Sequence, residues 1–90
     1  MSHFYMAQLT DILNSIWDIQ EYQTSIRAVG VPERENGNIH IDVVTELYEQ
    51  EDRRDFGRML QVLGECYEGP EQIRFHQYTP ETYERWHPFS

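Results

Sequence analysis

The chain contains no lysine. Its seven basic residues are all arginines, set against 16 acids, so 90 residues carry a net charge of −9. Positive side chains are what neutralise phosphates. A deficit this large argues against direct nucleic-acid binding and against docking on anionic membrane surfaces. Cysteine is nearly absent: Cys66 alone cannot form an internal disulfide, so nothing requires an oxidising compartment. No apolar run approaches the roughly 18 residues that span a bilayer. The opening MSHFYMAQLTD lacks the basic stretch and apolar core of a secretory signal. These absences lead to the expectation of a soluble, cytoplasmic protein. Also missing are a phosphate-binding glycine loop, a dinucleotide fingerprint and a nucleophile elbow.

Aromatic residues are plentiful. Two Trp, six Tyr and four Phe make up 13% of the chain, enough large side chains to build one modest core in a domain of this length. Apolar residues Tyr5, Leu9, Ile12, Leu13, Ile16 and Trp17 recur at helical spacing, which predicts an amphipathic helix over residues 4–20 with Ser2 as its cap. Residues 21–31 read as a strand, with Tyr22, Thr24 and Ile26 on one face and a change of parity at Gly30 that signals a bulge. PERENGN follows as a loop, and its Asn36-Gly37 pair is a hairpin signal. The next strand alternates most cleanly: Ile39, Ile41, Val43, Thr45 and Leu47 face one way, and His40, Asp42, Val44, Glu46 and Tyr48 the other.

A second helix is expected from the stripe Phe56, Met59, Leu60, Leu63, Cys66 and Tyr67. Asp52 lies before it, Asp55 in its first turn, and Gly69-Pro70 stop it. QIRFHQY is a third strand. TPETYERW begins a short helix capped by Thr79, with Tyr83 and Trp86 docking on the body. The expected fold is one small α+β domain over residues 1–90, in the order α-β-β-α-β-α. A β-hairpin and one further strand, reached by a right-handed crossover, form a three-stranded mixed sheet with the two amphipathic helices on one face.

His40, Asp42 and His76 share the other sheet face and make the best candidate for chemistry, since two imidazoles and a carboxylate can ligate a divalent ion. Arg74 beside them offers Asp42 a competing ion pair. Asp42 and Glu46 lie roughly 13 Å apart along a strand, too far to act together on one bond. Cys66 falls on the apolar stripe and is expected to be buried and inert.

The stretch IRAVGVPERENGNIHIDVV, followed by a helix, a strand and YTPETYERW, resembles the core of small nucleotidyltransferases. That family carries a Gly-Ser turn and two metal-binding aspartates flanking one apolar residue. Here Gly30 is followed by Val31, the first aspartate position is His40, only Asp42 remains, and the third-carboxylate strand offers Arg74. The resemblance implies a catalytically degenerate, metal-binding domain at most, with no working two-metal centre.

The remaining signal is acidic surface. Nine acids lie between Asp42 and Glu71 against three arginines. The leading expectation is a non-enzymatic, cofactor-free protein-binding module. It would inhibit or regulate a partner by occluding a basic, nucleic-acid-binding surface, as a phage anti-defence or immunity-type protein would. The residues expected to meet the partner are Glu46, Glu49, Glu51, Glu65, Glu68, Glu71, Tyr78 and Trp86. Aromatic side chains supply interface affinity, with His87 and Phe89 adding to the tail. A self-complementary aromatic face would instead give a homodimer.

Overall fold

The apolar alternation of Ile39, Ile41 and Val43 builds the centre of the molecule: all three are fully buried. They belong to β3 (Asn38–Thr45), the longest strand. The computed structural model describes residues 3–86, so the expectations for Ser2, His87 and Phe89 lie outside the described residues. Around β3 the order is α1 (His3–Trp17), β1 (Ile26–Val29), β2 (Glu33–Glu35), β3, α2 (Gln50–Glu65), β4 (Gln72–Tyr78) and α3 (Pro80–Trp86). The fold is a small α+β domain with a mixed sheet. β1 and β2 pair antiparallel with β3, and β4 pairs parallel with it on the opposite side.

The sheet has four strands where three were expected, because the first hairpin arm is broken. Pro32 has no N–H to give a ladder, and between Val29 and Glu33 the arm advances four residues while β3 advances three. The expected bulge near Gly30 is this extra residue; a second irregularity lies between Ile26 and Ala28. The loop read over PERENGN is in part β2. Its tip is the Asn36-Gly37 turn, with φ of +52° and +79°, the left-handed pair that a tight two-residue hairpin requires.

Three other boundaries differ. α1 ends at Trp17, three residues early, and residues 18–25 form successive turns rather than strand, with Tyr22 N–H donating to Ile19 O and Ser25 N–H to Tyr22 O. Tyr22 there points into the core and meets Phe56 edge-on at 5.2 Å. α2 starts before Asp52, so Glu51 and Asp52 occupy its first turn and Glu49 the N-cap position. Its end comes at Glu65, ahead of Gly69-Pro70, and Tyr67 just beyond it packs inward on Tyr5.

Leu9, Ile12 and Ile16 of α1, Phe56 and Leu60 of α2, and the inward face of β3 form one core. Both amphipathic helices therefore cover the same sheet face, as their stripes predict. On the opposite face α3 lies against β3 and β4. Tyr78 meets Tyr83 edge-on at 5.5 Å, and Val44, which pairs with Tyr78 in the ladder, is buried there. Thr79 Oγ1 accepts from Thr82 N–H at 3.3 Å, the expected cap. No helix among the described residues is long and apolar enough to cross a membrane.

Candidate functional site

The parallel register sets His76 opposite Asp42 and Arg74 opposite His40. All four side chains share the sheet face away from the core, beyond the end that α3 covers. The two imidazoles meet directly. His40 Nδ1 lies 2.8 Å from His76 Nε2, with the rings nearly parallel at 5.1 Å. One ring donates and the other accepts, so this bond exists only while at least one ring is neutral. The other nitrogen of His40 is 4.0 Å from Glu35 Oε1. Glu33, Glu35, Val31 and Tyr78 border a shallow groove of about 360 Å³ around this pair.

The sequence thus brought the right residues to one place, but their geometry is not that of a metal centre. His40 and His76 point ring nitrogens at each other. Among the described residues no group of three His, Cys, Asp or Glu side chains is placed to hold a metal ion. Burial pushes the Tyr78 hydroxyl above its ordinary pKa, with the Asp42 charge and Tyr83 adding to the effect. That keeps it a neutral hydrogen-bonding group.

The acids divide by structural duty. Glu46 pairs with Arg27 across β1 and the end of β3. Glu49 and Glu51 stand at the start of α2, where the helix dipole favours negative charge. Glu65 is exposed on the last turn of α2. Glu68 anchors α1: its carboxylate accepts from Gln8 Nε2 at 3.0 Å, and its N–H donates to Gln8 Oε1 at 2.6 Å. Glu71 is half-buried and ties three segments together. Arg34 Nε of β2 donates to it at 2.8 Å and the Tyr67 hydroxyl at 3.2 Å. The Arg34 guanidinium holds the Glu71 carboxyl below its usual range. The run Glu65, Glu68, Glu71 is therefore not one surface cluster. Charge counting could not see this, because Gln8 and Arg34 are distant in sequence.

The aromatics divide as well. Trp86 is 69% exposed and does not dock on the body. Tyr78 is half-buried under α3. Tyr48 is exposed, and its hydroxyl donates to the Glu81 carboxylate at 3.1 Å. Cys66 is exposed rather than buried, its thiol donating to Val62 O at 3.4 Å; Tyr67 takes the inward position that the stripe had shared between them.

Sequence reasoning missed the seam between α2 and β4. Gly57 and Gly64, seven residues apart on α2, face that strand. A Cβ on Gly64 would stand 3.1 Å from Phe75 Cε2, and one on Gly57 2.9 Å from Gln77 Nε2. A pair of glycines two turns apart in an otherwise sound helix was the available signal. Beside the seam runs a groove of about 640 Å³ that includes Gln61 and Glu65 of α2 and Ile73 to His76 of β4. Compared with known proteins, the chain matches no family model, no curated protein and no solved structure, so its reading rests on these residues.

Proposed function

We propose that this chain is an acidic, non-enzymatic protein-binding module. In this reading it inhibits or regulates a partner by occluding a basic surface of the kind that binds nucleic acid, in the manner of a phage anti-defence or immunity-type protein. The observation that carries it is the distribution of charge. Of the 16 acids, all but Asp42 and Glu71 are exposed, and the fold spreads them over the outside of a net −9 body. Such a field steers association with a cationic partner and sets its orientation. Glu49, Glu51 and Glu65 are exposed acids of α2 and its N-cap whose carboxylates make no ion pair among the described residues, and Trp86 is an exposed aromatic that supplies an apolar anchor.

The test is capture from the native host with the full chain at low ionic strength, followed by elution in rising salt. The expected partner is a basic protein released as the Debye length shrinks. The triple variant Glu49→Gln, Glu51→Gln, Glu65→Gln should retain it less well. A partner held equally by the variant and indifferent to salt would sink the electrostatic reading.

A further inference from the structure

We infer that the outer edge of β4 is a strand-addition site for an extended, basic segment of the partner. This rests on the proposed basic partner and specifies where and how it is held. β4 pairs with β3 along its whole length, from Gln72 to Tyr78, and no other strand of the described residues pairs with it. Gln72 N–H donates toward β3, to Gly37 O, at 3.1 Å. Amide groups of alternate residues turn to the same side of a strand. Arg74, His76 and Tyr78 therefore direct their backbone to β3, whereas Ile73, Phe75 and Gln77 turn N–H and C=O to the outside.

The groove beside α2 follows this edge. It is bordered by Ile73 and Phe75 from one sheet face and by Arg74 and His76 from the other. Only a channel running along the strand's side meets both. Its helix wall includes Gly57 and Gly64, whose missing side chains let Gln77 and Phe75 of β4 pack close against α2. Proteins usually blunt exposed edges with proline, bulges or a covering element. The sheet's other edge has Pro32 and two register shifts. β4 has no proline and an unbroken register. Backbone addition of this kind draws affinity from main-chain hydrogen bonds and specificity from alternate side chains.

Charge selects the occupant. The body carries a net −9, and Glu65 stands exposed on the helix wall. Glu71, at the amino-terminal end of the strand, is already paired with Arg34, and Arg74 is the one arginine among the described residues that line the groove. A second copy would bring another −9 body to the same edge. In a two-fold pairing centred on Phe75 it would also set each Arg74 against the other copy's His76. An extended segment with lysine or arginine at alternate positions avoids the first obstacle, and avoids the second in the register that puts its bases on the face away from Arg74.

The experiment follows backbone amide exchange by NMR on the full chain. The probe is an acetylated, amidated peptide of four Lys-Val repeats. The controls are the same peptide N-methylated at alternate residues and a Glu-Val counterpart. The expected result is slowing of at least about tenfold at Ile73, Phe75 and Gln77 with the Lys-Val peptide, with little change at Arg74 and His76, and no such slowing with either control. Lys-Val binding that protects other amides, or that survives N-methylation unchanged, overturns the edge site while leaving the basic-partner reading intact. Failure of the Lys-Val peptide to bind, or equal binding of the Glu-Val peptide, overturns the edge site, whereas the basic-partner reading falls only if capture from the host is indifferent to salt. Protection of the three amides that grows with protein concentration alone assigns the edge to a second copy and overturns the inference.

Discussion

Gly69 stands where any side chain would strike the Tyr67 ring: an added Cβ would lie 2.3 Å from its hydroxyl oxygen and Cζ. Tyr67 is part of the core and cannot swing out without leaving Tyr5. Gly69→Ala should therefore cost about 1–3 kcal/mol, the usual penalty of overpacking, read as a lower urea midpoint at unchanged m-value. The neighbouring carboxylate gives a pH signature. The Arg34 hydrogen bond holds Glu71 below its ordinary value of 4.5. A lowered folded-state pKa means that the unfolded chain binds more protons in that window. The stabilisation is thus complete above the unfolded value and is lost as pH falls through the folded one. Glu71→Gln removes this titration. The stability gap between the native chain and Glu71→Gln should be widest at neutral pH and narrow below about pH 4.5, as urea unfolding across that range would record. A gap independent of pH would mean that Arg34 does not discriminate between the two forms.

Among the elements, the hairpin tip is the most locally determined. Gly37 has φ of +79° with open space around it, so the cost of Gly37→Ala is conformational, about 1–2 kcal/mol. Gly37→Asn should recover part of it, because Asn tolerates the left-handed region; thermal unfolding of the two variants checks the order. This turn was legible in the sequence, as were the inward line of β3, the stripe of α2 and the Thr79 cap, because each is set by residues within a few positions. What escaped notice depends on distant partners. Tyr22 left the expected strand because Phe56 holds its ring. Cys66 and Tyr67 compete for one inward position, and only the proximity of Tyr5 decides it. Trp17 shares the stripe of α1 yet stays 41% exposed, whereas Ile16 beside it is fully buried. The candidate site shows the same division. Alternation and pairing put His40 and His76 on one face, but their 2.8 Å contact is set by ring orientation, on which sequence periodicity is silent.

At the scale of the whole molecule, charge should act in opposite directions on folding and on binding. Exposed acids at net −9 repel one another in the folded state. Salt screens this, so the Tm of the isolated chain should rise between low ionic strength and about 0.5 M salt, as calorimetry would show, while capture of a basic partner weakens over the same range. A Tm that falls with salt would indicate that its ion pairs outweigh the repulsion. The sheet's architecture has a consequence for assembly order. β3 finds β1 and β2 through a short local hairpin, but every rung it makes with β4 joins residues 34 apart, from Asn38–Gln72 to Val44–Tyr78. Local pairs close quickly and remote ones slowly. As the chain is synthesised, the hairpin is complete before β4 exists, and the side of β3 that β4 will occupy stands bare until α2 has formed and returned. A chaperone, or a premature mate, would meet the protein there first.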